Sequence, residues 1–266
     1  MLEFPVSRID VSTGTIEHKR DFIAEEKPLH IFLNQNHYVT VLSSPRQLRE
    51  LAVGHLLSEG ILKSPREIKQ VKLQKDGKCT VKLNPDVDVE KRIELAQPFA
   101  RLIISACGSP NYWPLSKLID RLALQKKPTP PRVRAETILR SVKQLNTLAK
   151  TFRKTGAVHI AALYLTSGEL MTFAEDVGRH NAADKVIGTG ALKESDFSKC
   201  FLASSGRLTG DIVLKAARMR IPIVASLAAV VDSGIDVAQR TGITLIGFVR
   251  GKRMNVYTYA EQIENQ

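Results

Sequence analysis

From Gly156 onward the chain alternates between short apolar runs and amphipathic stretches, and that alternation narrows its fold more than any other feature. Val158 to Leu165 is apolar almost without a break, as in a strand covered on both faces. A turn at Ser167-Gly168 leads into Leu170 to Phe173, its expected hairpin partner. Further strands are predicted at Cys200 to Ser204, Pro222 to Ser226 and Ile243 to Val249, and helices at Asn181 to Ile187, Asp211 to Arg218 and Ser233 to Arg240. This is the pattern of an α/β sheet layered by helices, expected over residues 155–266. No segment repeats with a period of roughly 20 to 50 residues, which excludes a solenoid.

The first part, residues 1–100, reads as a smaller α+β unit. Leu29 to Leu33 and Tyr38 to Leu42 flank Asn34-Gln35-Asn36, and Val71 to Leu73 and Thr80 to Leu83 flank Asp76-Gly77, two hairpin signals. Between them Leu48, Leu51, Ala52, His55 and Leu56 recur at helical spacing, with Ser44-Pro45 as the expected helix start and Gly60 as its stop. His37 and His55 read as surface or packing residues, since neither stands beside another metal-ligand type. Residues 101–154 connect the two parts. After Pro128, Pro130 and Pro131, one helix face is marked by Ile138, Val142, Leu145, Ala149 and Phe152. From Lys126 to Lys154 nine basic residues accompany a single acid, Glu136. That is either a solvated helix face or a landing surface for something anionic.

The whole chain of 266 residues carries 39 Lys and Arg against 27 Asp and Glu, a net charge of +12, which favours anionic partners. Aromatic residues make up only 6% and no known nucleic-acid motif is present, so the charge does not point to nucleic acid. Three widely spaced cysteines, Cys79, Cys107 and Cys200, offer no disulfide framework and suit a reducing cytosol. No apolar run reaches the roughly 18 residues of a membrane span, and no secretory leader opens the chain.

Three polar clusters follow predicted strands, where open α/β sheets bind ligands. The first is Glu175-Asp176-Val177-Gly178-Arg179-His180-Asn181, with Asp184 and Lys185 one helical turn on; a helix beginning near Asn181 would offer free N–H groups to an anion. The second is Ser204-Ser205-Gly206-Arg207. The third, Phe248-Val249-Arg250-Gly251-Lys252-Arg253, combines three cations with a glycine and suits phosphate or a guanine dinucleotide. Each alone is also what an ordinary strand-to-helix corner looks like; three on the same kind of strand end are harder to dismiss. His159 interrupts an apolar strand and reads as a satisfied core residue. Cys107 closes a short apolar run with Gly108 and Pro110 after it, in an expected turn where a thiolate is reachable, whereas Cys79 and Cys200 read as packing residues.

Taken in order, these clusters resemble the formate dehydrogenase accessory protein family, the FdhD-type sulfurtransferases. The resemblance rests on Thr155-Gly156-Ala157-Val158-His159, on Glu175 through Ala182 with Asp184-Lys185, on Ser205-Gly206-Arg207, and on Gly242 through Arg250, and it runs from about Ile31 to Tyr259. It implies a cytidine deaminase-like fold without a zinc site. It also implies a sulfur carrier that accepts persulfide sulfur from a cysteine desulfurase and passes it to the molybdenum bis(molybdopterin guanine dinucleotide) cofactor, held as a bound substrate, before insertion into formate dehydrogenase. Cys107 aligns with the family's persulfide cysteine. Phe248, Val249, Arg250, Gly251, Lys252 and Arg253 match its cofactor-contacting stretch, with Arg179, His180 and Arg207 as further candidates. Family members suggest a homodimer, and neither a resident metal nor a membrane or nucleic-acid partner is implied.

One departure stands out. The family's persulfide cysteine opens a C-x-x-C, and here Pro110 replaces the second cysteine. One mobile thiolate suffices for a shuttle, since donor and acceptor can reach it in turn. The alternative is a cofactor-binding chaperone without sulfur transfer. A zinc deaminase would need H-x-E and P-C-x-x-C; His159 is followed by Ile160-Ala161 and the chain holds no C-x-x-C.

Overall fold

The structure, a computed structural model, describes residues 1–93 and 131–265. It opens on a hairpin of β1 (Leu2–Asp10) and β2 (Thr15–Ile23), paired from Leu2↔Ile23 to Asp10↔Thr15. The Asp10 carboxylate closes the turn by accepting from the N–H groups of Ser12 and Thr13. Nearly the whole hairpin stands in solvent, with Leu2, Phe4, Ile9 and Ile16 exposed. Its base is held by the N-terminal amine on Glu25 and by the Lys154 ammonium over the Phe22 ring.

A four-stranded sheet follows, built from β3 (Lys27–Leu33), β4 (Asn36–Ser43), β5 (Ile68–Leu73) and β6 (Lys78–Leu83) in the order β4-β3-β6-β5. Both expected hairpins form, and the parallel pair β3–β6 joins them. Alternate residues Leu29, Ile31, Leu33, Cys79 and Val81 point to one side, where helix α1 (Leu48–Ser58) covers them. The helix does not begin at Ser44-Pro45 as expected. Gln47 adopts a left-handed conformation (φ 52°) before Leu48, and Ser44 is engaged elsewhere. Its N–H donates to Asp176, its hydroxyl accepts from the Val177 N–H, and its carbonyl accepts from the Lys185 ammonium.

The remaining elements are β7 (Val133–Arg134), α2 (Ala135–Leu148), α3 (Lys150–Thr155), β8 (His159–Leu165), β9 (Leu170–Asp176), α4 (Arg179–Leu192), β10 (Cys200–Ser204), α5 (Gly210–Arg218), β11 (Ile223–Ser226), α6 (Asp232–Thr241), β12 (Thr244–Arg250), β13 (Arg253–Val256) and β14 (Ile263–Glu264). Six of the strands form one mixed sheet in the order β13-β12-β11-β10-β8-β9, and β14 pairs with β7. The strand–helix alternation expected after Gly156 is therefore present. Helix α4 starts two residues earlier than expected, which puts Arg179 and His180 in its first turn. Phe152, expected on the apolar face of one continuous helix, is 50% exposed, because the helix breaks at Ala149.

The sheet is buried on both faces. Ala161, Leu163, Leu202, Val224 and Leu245 face helices α4 to α6 and belong to the same core as α1 and the inner side of the four-stranded sheet. Ile160, Ala162, Tyr164, Phe201, Ala225 and Ile246 face α2, where Ile138, Val142 and Leu145 meet them. The described residues of the two parts, 1–93 and 155–265, thus share one core. Where α1 crosses α4 the backbones touch: a Cβ on Gly54 would lie 1.8 Å from the Asp184 carbonyl oxygen, and one on Gly188 would lie 1.9 Å from that of Glu50. Only glycine at both places permits that approach.

Candidate cofactor-binding site at one sheet edge

Strand polarity decides which residues meet. β10, β11 and β12 run parallel, so their C-terminal ends share an edge. β8 runs opposite to β10, which places its first residue, His159, at that edge, and antiparallel β9 brings Asp176 opposite His159. All three polar clusters therefore emerge on one side of the sheet, in the position where open α/β sheets take ligands.

The first cluster divides into structural and outward-facing residues. Asp176 and Lys185 are fully buried and paired at 2.6 Å. Asp176 also accepts from the Gly178 N–H and the Asn181 amide, while that amide donates to the Leu42 carbonyl as well. Burial pulls the Lys185 ammonium below its ordinary value, and Asp176 opposes that shift. Asp184, on the far side of α4, accepts from Ser58 at 2.6 Å and pairs with Lys215 at 3.0 Å and His55 at 3.2 Å. Lys215 in turn pairs with Glu59. His55, expected as a surface or packing residue, is part of this buried network. Asp176, Asp184 and Lys185 thus hold the two parts of the chain together rather than facing a ligand.

Arg179 and His180 face the edge instead. His180 Nε2 lies 2.5 Å from Asp211 Oδ2, and the other oxygen of Asp211 accepts from the Thr209 hydroxyl and the Ile212 N–H. Burial would raise the Asp211 carboxyl, but these contacts, His180 first, hold it far below the usual carboxylate range.

The second cluster is a loop knitted to its neighbours. Ser204 Oγ accepts from the Gly206 N–H, and Ser226 Oγ lies 2.6 Å from the Gly206 carbonyl oxygen. A Cβ on Gly206 would stand 2.8 Å from Arg179 Cβ, so the glycine lets the Arg179 side chain lie against the loop. Ser205 Oγ accepts from the Ile160 N–H and sits 3.4 Å from His159 Nδ1. His159 is therefore not a sealed core residue, as its apolar neighbours suggested. It is partly buried in a cleft of about 530 Å³ lined by Asn146, Phe152, Val177, Ser205 and Leu227. Burial lowers its imidazole's pKa, and the nearby Arg179, His180 and Arg207 lower it further against the opposing effect of Asp176, which favours the neutral ring. Periodicity alone gave no signal for this cleft.

The third cluster lies on the same edge, separated from β10 by β11. The register of β12 shifts between Gly247 and Arg250, and Phe248 takes a left-handed conformation (φ 51°) while its N–H donates to the Ala228 carbonyl. That bulge turns Phe248 outward, with the Arg250 guanidinium 5.3 Å from its ring centroid. Val249 points the other way: at 1% exposure its side chain belongs to the core under α2, which leaves only its backbone for a ligand. Gly251 (φ 62°) makes the turn into β13, and Lys252 and Arg253 are exposed. The structure thus brings Arg179, His180 and Arg207 together around His159 and places Phe248 to Arg253 farther along the same edge.

Cys107 and Pro110 lie outside the described residues. The other two thiols are buried, and burial pushes each up to about 11, so neither is a reactive thiolate at neutral pH. Among the described residues no group of three His, Cys, Asp or Glu side chains is placed to hold a metal ion, and no helix is long and apolar enough to cross a membrane.

A model of the FdhD/NarQ family matches residues 24–264. The chain is 34% identical over 255 residues to the sulfur carrier protein FdhD of Sulfolobus acidocaldarius, covering 96% of each chain. It is 33% identical over 261 residues to the protein of that name from Methanothermobacter thermautotrophicus, covering 98% of each. Among solved structures, one described as a formate dehydrogenase accessory protein from Desulfotalea psychrophila superposes with a TM-score of 0.79 at 25% identity, over 99% of both chains. With a family match that spans both parts of the fold and every cluster at the sheet edge, this chain belongs to the FdhD/NarQ family.

Proposed function

We propose that the protein is a cytosolic sulfur carrier that takes persulfide sulfur from a cysteine desulfurase onto Cys107. It then transfers that sulfur to the molybdenum bis-guanine-dinucleotide cofactor for use by formate dehydrogenase. The names of its relatives support the carrier role and the client. The observation that carries the cofactor reading is the convergence of Arg179, His180, Arg207 and the Phe248–Arg253 turn on one sheet edge. Dinucleotide phosphates suit this edge because guanidinium groups give charge-assisted, bidentate contacts to phosphate oxygens. Phe248, with Arg250 against its ring, offers a stacking surface to a base. The cofactor is cargo here, so no permanently bound metal is required.

In the transfer itself, the Cys107 thiolate attacks the terminal sulfur of the donor's persulfide, and the donor's S–S bond breaks with its electron pair leaving on the donor thiolate. In the second displacement the acceptor supplies the electron pair for its new bond to the terminal sulfur, and the S–S bond at Cys107 breaks with its pair leaving on the Cys107 thiolate. A cytidine deaminase-like fold fits the order of the hairpin strands β8 and β9 beside the parallel β10, β11 and β12. A homodimer is supported by the apolar side chains left exposed on the N-terminal hairpin.

Replacing Arg250 and Arg253 together with Glu tests the cofactor site. Guanosine diphosphate binding should weaken by more than about tenfold, since each charge-assisted hydrogen bond is worth roughly 1.5–3 kcal/mol. Unchanged affinity in a calorimetric titration of the folded variant removes this stretch from the account. The second reading, a cofactor-binding chaperone without sulfur transfer, draws on the Pro110 substitution alone.

A further inference from the structure

Helices α2 and α3 carry cations on their outer face that the fold does not use. Ile138, Val142, Leu145 and Ala149 turn inward to the sheet, which leaves Arg140, Lys143, Lys150 and Arg153 exposed on the other side. Arg132 and Arg134, also exposed, extend the run at its start. The one acid on these helices, Glu136, is exposed, and among the described residues none of the four cations is in an ion pair. Like charges one turn apart weaken a helix; two acids stand beside the run, Glu136 one turn before Arg140 and Glu175, which accepts from the Thr151 and Phe152 N–H groups at the start of α3.

The position of this face matters as much as its charge. Asn146 and Phe152, on the same two helices, line the cleft that holds His159 and Ser205. Lys143 lies one turn before Asn146 on the same helix, and Lys150 and Arg153 flank Phe152 in sequence. Arg207, exposed, follows Ser205 on the opposite wall. Phe152, half exposed, supplies an apolar side chain in the middle of the cations.

We propose that the outer face of α2 and α3 docks an acidic surface of formate dehydrogenase in its cofactor-free form. The inference rests on the reading of the sheet edge as the cofactor site. Charge complementarity calls for an anionic partner, and three classes could supply it. A nucleic acid would want a series of stacking aromatics, and Phe152 is the one aromatic residue on these helices. A membrane would want an apolar stripe facing outward, whereas the stripe here is spent on the sheet. A protein surface needs a charged rim around an apolar anchor, which is what is present. Between the two protein partners, the client is the one that has to come to the mouth of the cleft to receive what is bound there.

The test uses the full chain and purified formate dehydrogenase prepared without cofactor. Binding of the wild type should weaken at least about tenfold between about 50 and about 300 mM salt. A triple variant, Lys143→Glu with Lys150→Glu and Arg153→Glu, should lose at least about tenfold at the lower salt. A charge-keeping triple variant, Lys143→Arg with Lys150→Arg and Arg153→Lys, should bind like wild type. Sulfur loading of Cys107 by a desulfurase should proceed in the Glu variant at the wild-type rate. Equal client affinity in the Glu variant, no client binding by the wild type, or sulfur loading that falls together with client binding would each overturn the proposal. So would tighter binding to a short DNA duplex or to phosphatidylserine vesicles than to the client. None of these outcomes bears on guanosine diphosphate affinity, which tests the cofactor reading separately.

Discussion

Nε2 of His180 stands 2.5 Å from Oδ2 of Asp211, and this contact ties the first turn of α4 to the first turn of α5. Asp211 is itself fixed by the Thr209 hydroxyl and the Ile212 N–H, so it holds the imidazole in one orientation at the sheet edge. Nδ1 is then the ring nitrogen left for a ligand. Asp211→Ala should lower guanosine diphosphate affinity severalfold, because His180 loses its orientation. It should also cost roughly 1.5–3 kcal/mol of stability through the lost hydrogen bonds to a charged carboxylate at the start of α5. Calorimetric titration and a thermal melt measure the two effects; full affinity in the variant would show that His180 does not serve the ligand.

The α1–α4 crossing gives a sign test. Gly→Ala in a helix interior ordinarily stabilises by roughly 0.5–1 kcal/mol. Here the new methyl at Gly54 or Gly188 would overlap a backbone carbonyl of the facing helix. Either substitution should therefore lower the melting temperature, by at least about 1–3 kcal/mol of stability on the overpacking scale. A stabilised Gly54→Ala would mean that the helices do not meet there.

Acid should loosen the same junction. Burial alone would raise the Asp184 carboxyl, but Lys215, His55 and Ser58 bring it down from 3.8 to about 2. A carboxylate whose folded pKa is depressed contributes stability that is complete above its unfolded pKa and is lost as pH falls through the folded one. For Asp184 that contribution is about 2 kcal/mol. The loss should run from about pH 5 downward to about pH 2. Asp184→Asn should cost about 3–5 kcal/mol at neutral pH, because Lys215 keeps only Glu59 as a charged partner. It should also flatten the acid limb of stability measured by urea unfolding. An acid limb identical to wild type contradicts the assignment.

Residues with a period could be read from the sequence, and residues placed by tertiary contact could not. Both hairpins of the small sheet, the strand run from His159 to Leu165 and the alternation after Cys200 followed from apolar spacing and turn chemistry. Arg179, His180 and Arg207 were legible as members of polar clusters that follow predicted strands. The division of labour within Glu175 to Lys185 was not, because a buried Asp176–Lys185 pair and an exposed ligand contact use the same residue types. His159 was hidden by its apolar neighbours, since only the antiparallel pairing with β9 and the Ser205 loop opens its side to a cleft. Val249 was swept in by its place between Phe248 and Arg250, and the bulge in β12 sends its side chain into the core. The exposed β1–β2 hairpin buries too little apolar surface to impose a pattern on its sequence.

Sulfur uptake by Cys107 separates a carrier from a cofactor-binding chaperone. The chain is incubated with a cysteine desulfurase and cysteine, and its peptides are weighed by mass spectrometry. One added sulfur is expected on Cys107 in the wild type and in Pro110→Cys alike, none on Cys79 or Cys200, and none anywhere in Cys107→Ala, which should remain folded yet fail to activate formate dehydrogenase. A wild type that takes up no sulfur while Pro110→Cys does would contradict the carrier reading, and the chain would then be a cofactor-binding relative that has lost the transfer step.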